Sequence, residues 1–109
     1  MSASAARTWL RARSPTAPAP LAGRMEDAVL ATAGPTEGVA FHLAEAALVC
    51  LGSALDAGGS RSAGFDLLAA DALLTCACEA AAEEGTATIE ALTRAYGPAR
   101  IAQLLPREP

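Results

Sequence analysis

Residues 65–85, FDLLAADALLTCACEAAAEEG, restrict the fold of this chain more than any other stretch. Their polar members recur at a fixed interval, with Asp71, Thr75, Glu79 and Glu83 four apart. At about 3.6 residues per turn, that interval draws one polar stripe along one side of a helix. Leu67, Leu68, Leu73, Leu74, Cys76 and Cys78, filled in with alanines, cover most of the remainder. A helix that is apolar almost all round belongs in an interior. The spacing therefore predicts a buried central helix. Its candidate site is the polar stripe of Asp71, Thr75 and Glu79, either solvated or lining a cavity between helices.

The rest of the chain is built from similar material. Hydrophobic residues make up 52% of the 109 residues and aromatics only 4%, so the apolar content is mostly Ala and Leu. That favours helix, and the β-branched and aromatic residues typical of strands are scarce. The expected fold class is all-α, a small bundle of four to five helices. Alanine buries little area, so such a core is weak per residue. A chain this short gains from association, and a homo-oligomer or a larger helical partner is expected. The net charge of −4 argues against nucleic acid as a partner. Three cysteines inside apolar runs point to buried thiols in a reducing, cytoplasmic compartment. No run reaches the roughly 20 uninterrupted apolar residues of a membrane span, and residues 39–55 carry His42 and Glu45.

Two regions are expected. Residues 1–24 hold Arg7, Arg11, Arg13 and Arg24, no acid, and Pro15, Pro18 and Pro20. They read as a disordered or targeting tail, or as sequence upstream of a start at Met25. Residues 25–109 read as the helical domain. A short helix over 25–33 closes at Gly34-Pro35, and Thr36 is placed to cap a second that ends at Gly58-Gly59. Ser60 or Ser62 opens the central helix and Gly85 closes it. A fourth helix starts at Thr86 or Thr88 and breaks at Gly97-Pro98, and a fifth covers 99–105.

The chemical constellations are sparse. Asp71 and Glu79 stand about 12 Å apart along a helix, too far to share one substrate atom. His42 and Glu45 can face one side of a helix and form a surface pair, but the order is the reverse of the Glu-x-x-His metal motif and the chain has one His. Cys76 and Cys78 point about 200° apart, so they cannot bond each other while helical. No catalytic set, metal site or cofactor is expected.

LLAADALLTCACEAAAEEG followed by IEALTRAYGPARIAQLL resembles the trans-isoprenyl (polyprenyl) diphosphate synthases. Asp71, Ala72, Leu73, Leu74 and Glu79 fall on that family's L-A-G-D-A-L-L-x-x-A-F-E helix, with Ala70 for the Gly and Cys78 for the aromatic. HLAEAALVCLGSALD, with His42 and Asp56, is similar to the helix leading into the family's first aspartate-rich motif. The family's paired D-D-x-x-D magnesium motifs are absent, since Asp27, Asp56, Asp66 and Asp71 all stand alone. The resemblance implies a remnant of such a synthase or its non-catalytic partner in isoprenoid biosynthesis, inactive as an isolated chain. The alternative is an unrelated helical dimerisation or interaction module.

Overall fold

The structure, a computed structural model, describes residues 2–13, 16–32 and 38–105. It is all-α, with six helices among the described residues. These are α1 (Ser2–Arg11), α2 (Ala19–Ala31), α3 (Val39–Ala57), α4 (Arg61–Glu84), α5 (Thr86–Ala95) and α6 (Pro98–Ala102). The last five answer to the five helices expected over residues 25–109. Residues 33–37, which hold the proposed Thr36 cap, lie outside the described residues.

Turn chemistry sets the boundaries of the long pair. Gly58, at φ 67°, ends α3. Ser60 then opens α4 by accepting a hydrogen bond at Oγ from the Ala63 amide at 3.1 Å. So short a link folds α4 back antiparallel to α3. The far ends confirm it, because a Cβ on Gly38, just ahead of α3, would lie 3.3 Å from Oε1 of Glu84 at the end of α4. Gly85, at φ 123°, closes α4 and leads directly into α5. That φ suits a residue without a Cβ.

The interior is centred on α3, not on α4. Ala40, Leu43, Ala44, Ala46, Ala47 and Cys50 of α3 are all buried, because α1, α2, α4 and α5 all pack against it. α4 buries one face, marked by Ala69, Leu73, Ala77 and Ala80. Leu67 and Leu68 stay 50% and 52% exposed, while Leu73 is 0% exposed. The expectation of a buried central α4 is thus corrected: α4 buries the face that meets α2, α3 and α5 and leaves its outer side in solvent. Among the described residues α3 is also the one helix long and apolar enough, by length and composition, to cross a membrane, and half of that window is buried within the bundle.

The stretch read as an irregular tail carries helix. α1 occupies Ser2–Arg11, and the boundary expected after Arg24 falls inside α2. Two facts account for the difference. Pro18 and Pro20 sit at the N-cap and first turn of α2, where a missing N–H costs nothing. The arginines find acids elsewhere in the chain: Arg7 and Arg11 bond Glu26, Arg13 bonds Glu79 and Glu83, and Arg24 Nε donates to Asp66 at 2.8 Å. Ala6 of α1 is fully buried.

Candidate functional site

Asp71, Thr75, Glu79 and Glu83 are exposed and run along the outer side of α4. The two ends of this stripe have different surroundings. At the C-terminal end the arm formed by α1, Ala12 and Arg13, which packs on α3 and α2, reaches α4 through two side chains. The Trp9 indole donates to Glu83 at 2.8 Å. Arg13 bonds both Glu79 and Glu83 and stacks on the Trp9 ring, 4.3 Å from its centroid. The Trp9 hydrogen bond, helped by Arg13, holds the Glu83 carboxyl below its ordinary value against the opposing effect of partial desolvation.

At the N-terminal end of the stripe a groove of about 580 Å³ opens between α4, α2 and residues of the arm. Asp71, Ala72, Thr75 and Cys76 form its floor. Leu10, Leu21 and Met25 supply apolar walls. Glu26 is on the same rim but is held by Arg11, at 2.8 and 3.1 Å, and by Arg7 at 3.4 Å. The Arg11 hydrogen bond is the main cause that lowers its carboxyl. Asp71 makes no hydrogen bond or ion pair among the described residues. Of the two expectations for the stripe, Glu79 and Glu83 anchor the arm, while Asp71 and Thr75 line an open groove.

A second, drier groove lies on the other side of Asp71. Its volume is about 210 Å³, and Leu48, Leu51, Leu67, Leu74, Tyr96 and Ile101 surround it. α3, α4 and α6 therefore share one exposed apolar face.

His42 and Glu45 do not form the expected surface pair. His42 is buried, with Nε2 2.9 Å from the Val29 carbonyl oxygen. Glu45 turns to the C-terminal helices, accepting a short hydrogen bond from the Tyr96 hydroxyl and pairing with Arg100 at 3.6 Å. Burial, then the Glu45 contact, pushes the Tyr96 phenol up, and the Tyr96 ring meets Phe41 edge-on at 5.8 Å.

The cysteines also divide. Cys50 is buried, Cys76 is half-buried in the groove floor, and Cys78 is exposed, which corrects the expectation of three buried thiols. All three are free. Burial raises the Cys50 and Cys76 thiols. No group of three or more His, Cys, Asp or Glu is placed to hold a metal among the described residues. Sequence reasoning missed the arm and the Glu45–Tyr96–Arg100 cluster. The signal for the arm was an acid-free, Arg-rich run facing an excess of acids later in the chain. Comparison with known proteins finds no matching family model, no matching curated protein and no matching solved structure.

Proposed function

We propose that this chain is a non-catalytic helical interaction module that takes a partner helix on the apolar face shared by α3, α4 and α6. One observation carries the reading: Leu67 and Leu74 stand on the outer side of α4, half or more than a third exposed, and border a groove with Leu48, Leu51 and Ile101. An apolar groove between helices is a common receptor for the apolar stripe of another helix, and clustered exposed leucines mark interaction surfaces. The acids that meet the arm, Glu26, Glu79 and Glu83, and Glu45 beside Tyr96 are engaged in holding helices together, which fits a structural role. Three free thiols suit a reducing, cytoplasmic setting.

The partner to test first is a polyprenyl diphosphate synthase subunit, the family that the Asp71–Glu79 pattern resembles, with a second copy of this chain as the alternative. Co-expression with such a subunit, followed by size-exclusion chromatography with light scattering, tests both. The expected result is a stable complex or a homodimer that Leu67→Glu with Leu74→Glu dissociates into folded monomers. A wild-type chain that stays monomeric at high concentration and retains no synthase would overturn the reading.

A further inference from the structure

The groove beside the arm meets the apolar face just described at Asp71, which borders both, but its chemistry is different. Its volume of about 580 Å³ falls in the range of small-molecule sites. Leu10, Leu21, Met25 and Ala72 give it an apolar lining, and Asp71 and Thr75 lie side by side on one helix face at its floor.

Charge at the rim is almost fully spoken for. Arg7 and Arg11 bracket Glu26. Arg13 spans Glu79 and Glu83. Asp71 is the acid lining the groove that has no cation or donor among the described residues. The arginines on the opposite wall are already committed to carboxylates, so they offer little to an anionic ligand.

We propose that this groove binds an apolar small molecule bearing a single cationic amine, with the apolar body against Leu10, Leu21 and Met25 and the ammonium on the Asp71 carboxylate. The Thr75 hydroxyl, one turn along, accepts a second N–H from the same nitrogen. An ammonium has donors to share and no acceptor, which matches a carboxylate beside a hydroxyl. The contact with Asp71 is solvent-exposed, so it discriminates between ligands more than it tightens them.

The test uses three probes of one shape on the full chain, by titration calorimetry and amide chemical shifts. They are naphthylethylamine, neutral naphthylethanol and anionic naphthylacetate. The amine should bind about two- to fivefold tighter than the alcohol, the size of an exposed charge pair, with the acid weakest and the shifted amides clustered on Ala72–Cys76 and Leu21–Met25. Asp71→Asn should bring the amine down to the alcohol. Thr75→Trp, a surface change that fills the floor, should remove all three while the far-ultraviolet circular dichroism stays unchanged. Equal binding of amine and alcohol, a preference that survives Asp71→Asn, probes that still bind Thr75→Trp, or no binding by any probe would each overturn the proposal.

Discussion

Leu73 and Leu74 are neighbours in sequence and opposites in burial. Leu73 is fully enclosed, while Leu74 is 38% exposed on the apolar face. Among so many alanines, Leu43 and Leu73 are the largest enclosed side chains, so each contributes more than its share. Leu73→Ala should cost about 2–5 kcal/mol, through lost transfer energy and the cavity left behind. Leu68→Ala, on a side chain more than half exposed, should stay within ~0.5 kcal/mol. Urea denaturation of the two variants checks this, and equal losses would contradict the burial of Leu73. The difference between these leucines was not legible in the sequence. Both sides of α4 are Ala and Leu, so its pattern lacks the polar contrast that marks an outer face. The one contrast it has is the polar spacing from Asp71 to Glu83, whose four residues are all exposed on α4. The residues that cover half of that line lie some seventy positions earlier in the chain.

At the scale of elements, the helix boundaries of residues 38–105 were legible because Gly58, Ser60, Gly85 and Gly97-Pro98 act locally. α1 was not, because everything that holds it is distant: Glu26, Glu79 and Glu83 give no signal within its own window. Those carboxylates also make α1 the acid-sensitive part of the fold. Glu26 and Glu83 are both held below the ordinary glutamate value of 4.5, each chiefly by a hydrogen bond from the arm. A carboxyl lowered on folding adds stability that is fully present above its unfolded value. That stability is lost as pH falls through the lowered folded value. The arm should therefore loosen as pH drops below 4.5, with no such effect between pH 6 and 8 from these two groups. Trp9 is the single tryptophan and sits in the contact, so its emission should shift to the red before far-ultraviolet helicity falls. Glu83→Gln should weaken the arm's hold at neutral pH, giving part of that red shift without acid. Emission unchanged down to the pH of global unfolding would show that the arm is held by the burial of Ala6 instead.

At the scale of the whole molecule, exposed apolar bulk gathers around one groove, where Leu67, Leu74 and Ile101 are 50%, 38% and 37% exposed. The weak alanine core and the exposed leucines have one cause. Most of the bulky aliphatic side chains on α4 stand outside, so the interior of the single chain is lean and the outer face is rich. Anything that binds the folded state alone raises stability by mass action. If a second copy covers this face, the thermal midpoint should rise with protein concentration, by several degrees across a hundredfold range for a domain of this size. Leu67→Glu with Leu74→Glu should remove the concentration dependence while leaving the midpoint of the dilute chain within a few degrees, since both side chains are partly in water already. A midpoint that is independent of concentration in the wild-type chain would exclude self-association and leave the face to a different helical partner.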